Sequence, residues 1–314
     1  MDELKQIGRV LWQTIEGFFR DAGPRMAAAI SYYTIFAIPA VLGLLALAAR
    51  EFVGPAEIQE AVAAQVETFV GVESATQVVE VVEGAVDPSL TGPAALIGLV
   101  ALIFGATGAF GELQSALNIA WGVQRDPRRG DVKGFFLKRA MSLVMIAALG
   151  VLLLLSIVAS TAISVMQSFF MEVLPASLRS VGLPIADLVI SLVAVSACVT
   201  IILRYVPDAV VTWRDAGIGG LFTGTLFTIG KLLIGYYLTQ SDPGNVFGAA
   251  GSLAVALLWI YYSSIILLLG AEFTEVWACR NGDPVVPHEG AVRVRKQVVY
   301  AEGIEEGIEV EAPA

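Results

Sequence analysis

Four ionisable side chains stand inside or at the edge of apolar sequence: Lys231, Asp187, Glu112 and Glu272. A charge at a bilayer centre costs ~2.5–3.5 kcal/mol on insertion scales, so such residues mark substrate or ion paths by default. Lys231 interrupts the stretch GGLFTGTLFTIGKLLIGYY, residues 219–237. A cation there can attract an anionic group such as a lipid phosphate, or its stem can snorkel to the outer headgroups. Asp187, near the outer start of its own apolar run, is the depth-matched partner. Glu112, Gln114, Asn118, Glu272 and Glu275 form a second polar group at the opposite end. It suits either a cytoplasmic gate or proton-coupling site, or an interfacial salt-bridge network, with Arg25, Arg139 and Arg204 as neutralising partners. Tyr32 and Tyr33, beside Ser31 and Thr34, precede Pro39, which can free backbone carbonyls for a ligand in a membrane helix. Tyrosine pairs of this kind also serve as interface anchors.

The elements that must position these groups are membrane helices. The chain has 314 residues, 56% hydrophobic and 15% charged, where a soluble protein is about 25% charged. Mean hydropathy is +0.75. Crossing a ~30 Å hydrocarbon core takes about 20 apolar residues in a helix. Six runs qualify: 26–49, 94–110, 140–165, 184–203, 216–237 and 251–277, the second short and glycine-rich. Each is uniformly apolar, whereas barrel strands alternate.

Lys and Arg give the orientation. Lys5, Arg9, Arg20 and Arg25 precede the first run, and the loop 50–93 has only Arg50 among many acids. The loop 121–139 is rich in Lys and Arg, the next has only Arg179, then come Arg204 and Arg214, and 238–250 has none. The tail is basic again at Arg280, Arg293, Arg295 and Lys296. This alternation predicts six spans with both termini cytoplasmic. The expected fold is an all-α polytopic bundle with short helices in the first outer loop.

Three regions follow: a surface segment 1–25, a membrane domain 26–280 with the acidic outer loop 50–93, and a largely disordered acidic tail 281–314. Within the first, Leu4, Ile7, Leu11, Ile15, Phe18 and Phe19 recur at helical spacing, as in an amphipathic helix lying on the cytoplasmic surface. In the fifth run, Gly220, Gly224, Thr228, Lys231 and Gly235 share one face, so small residues invite close helix packing beside Lys231. Gly105 and Gly108 offer a similar face in the second run. Trp121 is placed as an interface anchor.

The net charge of −10 is no nucleic-acid footprint. The sequence holds no Walker motif, no HExxH and no intramembrane nucleophile–histidine pair, so no catalytic residue, metal ligand or cofactor is expected. Two cysteines, Cys198 and Cys279, build no disulfide framework.

Three stretches together resemble the YihY/BrkB family of bacterial inner-membrane proteins: AAAISYYTIFAIPAVLGLLAL (27–47), ELQSALNIAWGV (112–123), and the segment 204–278 beginning RYVPDAVVTWRDAGIGGLFTG. The resemblance implies a six-helix inner-membrane protein tied to envelope integrity and, in some members, serum resistance or lipid export. An older family label, ribonuclease BN, is disfavoured here, because the sole histidine, His288, lies in the tail and no soluble acidic metal cluster is present. The reading is a transporter or flippase-like exporter of an anionic amphipathic or lipid-like substrate. A non-transporting scaffold for envelope assembly is the alternative. Membrane lipids are the expected partners and nucleic acid is not; a homo-oligomer stays open.

Overall fold

The computed structural model describes residues 2–49, 93–126, 143–144, 176–241, 251–281 and 284–294. All but two residues of the run 140–165 lie outside it, as do the outer-loop helices expected within 50–93 and the tail beyond 294. The described residues form helices α1 (Asp2–Arg20), α2 (Gly23–Ala49), α3 (Pro93–Ala120), α4 (Ala176–Tyr205), α5 (Trp213–Ser241) and α6 (Gly251–Asn281). Four short strands join them: β1 (Val123–Arg125), β2 (Ala209–Val210), β3 (Val286–Pro287) and β4 (Ala291–Arg293).

Helices α2 to α6 overlie five of the six apolar runs. Among the described residues, Leu96–Ala120, Leu188–Tyr205 and Leu253–Arg280 are long and apolar enough to cross a membrane by length and composition. Two helices exceed their expected bounds. α3 continues through the short second run to Ala120, so Glu112, Gln114 and Asn118 belong to the same helix as Gly105. α4 starts at Ala176, inside what reads as an outer loop. In both cases the polar residues interrupt hydropathy without breaking helical hydrogen bonding, which has no hydropathy requirement.

The break between α1 and α2 is local. Ala22 adopts φ of 57°, a left-handed conformation, and its carbonyl accepts from the N–H groups of Arg25 and Met26. The Phe18 ring fills the space that a side chain at Gly23 would need. α5 begins at an N-cap threonine: Asp215 N–H donates to Thr212 Oγ1 at 3.2 Å, and the Thr212 hydroxyl donates to Asp215 Oδ2 at 2.6 Å.

α6 is the central element, touching α1, α2, α3 and α5, while α4 packs on α5 and α3 on α2. Neighbours therefore run α3, α2, α6, α5, α4. α5 is squeezed from both sides. A Cβ at Gly220 would sit 2.6 Å from the Ser196 carbonyl oxygen of α4, and one at Gly219 would sit 3.1 Å from Thr274 Cβ of α6. The buried core, with Leu117, Trp121, Leu203, Leu268, Ala271 and Val285, collects at the end where β1 to β4 and the helix connectors lie.

α1 is docked, not free. Arg280 donates to the Gln6 side chain and backbone, and Gly17 lies against Glu272, so α1 runs antiparallel along the last turns of α6. Val10, Thr14 and Phe18 are buried there, while Leu11, Trp12, Ile15 and Phe19 are exposed on the other flank. Phe18, expected on the exposed apolar stripe, belongs instead to the core.

Two substitutions should move stability in opposite directions. Gly220→Ala crowds backbone atoms and should cost about 1–3 kcal/mol. Ala22→Gly relieves the left-handed alanine and should add about 0.5–1 kcal/mol. Thermal unfolding of the detergent-purified protein reads both as shifts of opposite sign in Tm.

Candidate functional site

The polar residues of α3 converge on a connector that the sequence reading overlooked. Gln114 and Asn118 are one turn apart and share a face. Both reach Asp208, in the bend between α4 and β2. Asn118 Nδ2 donates to Asp208 Oδ2 at 2.9 Å, and Asp208 N–H donates to Asn118 Oδ1 at 2.8 Å. Gln114 Nε2 donates to the Val206 carbonyl at 3.0 Å and approaches Asp208 Oδ1 at 3.4 Å. Arg125 of β1 adds an ion pair to Asp208 Oδ2 at 3.7 Å. One carboxylate thus ties α3 and β1 to the α4–α5 connector. The node lines a cavity of about 320 Å³ with Ser115, Gly122 and Val294. Gln114 Oε1 is buried with no hydrogen-bond partner.

A second, larger cavity of about 630 Å³ opens between α1 and α6. Charges of both signs line it: Arg9, Glu16 and Arg20 from α1, with Glu272, Glu275 and Arg280 from α6. Glu272 is only 2% exposed. Gly17 makes its position possible, because a Cβ there would lie 2.5 Å from Glu272 Oε2. Glu275 pairs with Arg293 of β4 at 3.6 Å, and Arg20 with Asp21 at 3.8 Å. Among the described residues, the guanidinium groups around these acids are those of Arg9 and Arg20 from α1, Arg280 from α6 and Arg293 from β4; Arg139 lies outside the described residues. Spatial proximity across chain ends decides this, and local sequence carries no sign of it.

Among the described residues, the other sequence candidates line neither cavity. Lys231 is exposed on α5. Gly220 and Gly224 of the same stripe are buried against Ser196 and Thr200 of α4, whereas Lys231, two turns further along, is exposed. Among the described side chains Lys231 has no ion-pair partner. Asp187 lies in α4. Tyr32 and Tyr33 are exposed and meet edge to face at 5.8 Å, with Phe36 beside Tyr32. Gly105 admits Ala40 of α2 closely, a Cβ there lying 3.0 Å from that of Ala40, whereas Gly108 meets Tyr33 at ordinary contact distance. Glu112 is half-buried on α3. Trp121 is no surface anchor: it is fully buried, and its Nε1–H donates to the Ala271 carbonyl at 2.9 Å. The only signal for Asp208 was its place: a polar residue after Pro207, between two apolar runs.

Long apolar helices, with polar bonding concentrated where their ends are joined, define an α-helical integral membrane protein. Residues 14–290 match the family model described as Virulence factor BrkB, and the chain belongs to that family. A UPF0761 membrane protein of Pseudomonas aeruginosa (strain LESB58) is 32% identical over 298 residues, covering 89% of this chain and 67% of the relative. UPF0761 membrane proteins of Azotobacter vinelandii and Alkalilimnicola ehrlichii are 30% and 29% identical, over 82% and 84% of this chain and 60% and 57% of theirs. The chain spans about two thirds or less of the length of these curated relatives. No solved structure matches it.

The ion pair and the buried amide–carboxylate contact at Asp208 should separate energetically. Asp208→Ala leaves Asn118 Nδ2 without its acceptor, while Gln114 Nε2 keeps the Val206 carbonyl, and should cost about 1.5–3 kcal/mol. Arg125→Ala removes a half-exposed pair and should cost under about 1 kcal/mol. Chemical denaturation of both variants beside wild type measures the difference.

Proposed function

We propose that this chain is a transporter or flippase-like exporter of an anionic amphipathic or lipid-like substrate in the bacterial inner membrane, supporting envelope integrity. The observation that carries this reading is Glu272, a carboxylate buried to 2% exposure beside a cavity of about 630 Å³ whose walls bear several arginines. A carboxylate buried at the end of an apolar bundle is costly to ionise, and a transport or coupling role accounts for it better than stability does. The topology that goes with this reading has six spans and cytoplasmic termini, with the run 140–165 as the third span. It puts the Asp208 node and the Glu272 cavity on the cytoplasmic side, where they act as a gate. The exposed Leu11, Trp12, Ile15 and Phe19 of α1 then meet the lipid interface, as do Tyr205 and Trp213, whose rings pack edge to face at 5.9 Å. Lys231 lies towards the outer side, open to lipid headgroups. On this reading the chain is not an enzyme, needs no cofactor, has lipids rather than nucleic acid as partners, and is free to form homo-oligomers.

The test is reconstitution into liposomes with a fluorescent anionic phospholipid, followed by the rate at which the label becomes accessible to an external quencher. Wild type should accelerate translocation, and Glu272→Gln should slow it at least about tenfold, a barrier change of ~1.4 kcal/mol. Lys231→Met should also lose anionic lipid adducts in native mass spectrometry. Protein-independent translocation overturns the transport reading and leaves the scaffold.

A further inference from the structure

One peptide segment, residues 284–294, touches every part of the connector end. Val285 is buried at 1% exposure in the core. β3 pairs antiparallel with β2, Pro287 opposite Ala209 and Val286 opposite Val210, and His288 N–H donates to the Asp208 carbonyl at 2.9 Å. β4 pairs antiparallel with β1, Val292 opposite Gln124, and the pairing extends through Val294 N–H to the Gly122 carbonyl at 2.7 Å. Arg293 then reaches Glu275 on the wall of the larger cavity. The segment following α6 is therefore sewn to the end of α3, to the α4–α5 connector and back to α6. It contacts the residues of both cavities at once.

We infer that residues 284–294 are a releasable clamp that holds the α2–α3 arm and the α4–α5 arm together at this end. The inference deepens the transport reading, as regulation of the same gate, and rests on it for the purpose of the movement. Release is feasible because the fastening is light. The paired strands are two and three residues long, and isolated two-stranded pairings are marginal in water. Arg293 ties the segment to Glu275 of α6, and Arg125 of its partner strand β1 pairs with Asp208 of the connector; both arginine side chains are 44% exposed, so salt screens them. Val285 is the exception, a buried apolar pivot about which the strands can lift. With β3 and β4 lifted, the Asp208 carbonyl loses its His288 N–H and Glu275 its cation in one motion. Opening in short, weakly protected units of this kind is the ordinary form of local unfolding.

Hydrogen exchange on the full chain tests this. Three proteins are compared: wild type, the double variant Arg125→Ala with Arg293→Ala, and the pair Gln124→Cys with Val292→Cys in a Cys198→Ser, Cys279→Ser background. Exchange in 118–126 and 205–212 should quicken about tenfold in the arginine variant and in wild type at about 1 M salt, while the α2 and α6 interiors stay protected. The oxidised cysteine pair should suppress this salt response, and reductant should restore it. Unchanged exchange at both stretches in the arginine variant, or equal loosening of every helix, overturns the clamp. Lipid translocation in the same samples keeps the two readings apart. Loss of flux on oxidation, regained with reductant, joins clamp and gate. Exchange that behaves as described in a protein without flux retains the clamp and removes transport.

Discussion

The close approach of α5 to its two neighbours is the constraint on which the remaining structure depends. Between helices in lipid there is no hydrophobic driving force, so association relies on tight van der Waals contact and on satisfied polar atoms. Here glycine meets hydroxyl. Gly219 receives Thr274 and Gly270 receives Thr223, a reciprocal exchange between α5 and α6. On the opposite side Gly220 and Gly224 receive Thr200 and Ser196 of α4. The threonine hydroxyls do not arrive unsatisfied: Thr223 donates to the Gly219 carbonyl at 2.7 Å, Thr274 to Gly270 at 2.6 Å and Thr200 to Ser196 at 2.7 Å. Each hydroxyl packs into a hole while bonding its own helix, so the contact carries little polar penalty. Ser196 Oγ is the exception, buried without a partner.

That packing fixes α4 and α5 as one arm on α6, with α2 and α3 as the other. The arms are then joined at one end by polar chemistry instead of by apolar contact. Asp208 can bind Asn118 at two points, Gln114 and Arg125 because the α4–α5 connector is held where α3 ends. Glu272 can remain buried because α1 lies along the last turns of α6 with a glycine opposite it. Both arrangements put charge where desolvation is expensive and partners are supplied by distant sequence. Such groups are poor sources of stability and good candidates for elements with two states.

Much of the architecture was legible in the sequence because hydropathy is a local property. The apolar runs at 26–49, 184–203, 216–237 and 251–277 lie within α2, α4, α5 and α6, since a long run without charge has few alternatives to a helix. The run at 94–110 falls short of α3, because Glu112, Gln114 and Asn118 lower hydropathy while leaving helix geometry intact. The small-residue face at Gly220 and Gly224 was also legible, from spacing alone. The exposure of Lys231 on that stripe was not, because a stripe on one helix does not say which of its side chains a neighbour covers.

By itself, then, the amino-acid sequence determined the helical membrane class, most helix positions and the packing face of α5, all of which follow from periodicity and composition within one segment. Only the tertiary structure decided the sites. Asp208 with Asn118, Glu272 with Gly17, Trp121 with Ala271 and Arg293 with Glu275 pair residues from different elements, some more than a hundred positions apart. The reason is that a buried polar group must find its partner in space, and which partner it finds is set by how the arms pack, not by what stands beside it in the chain.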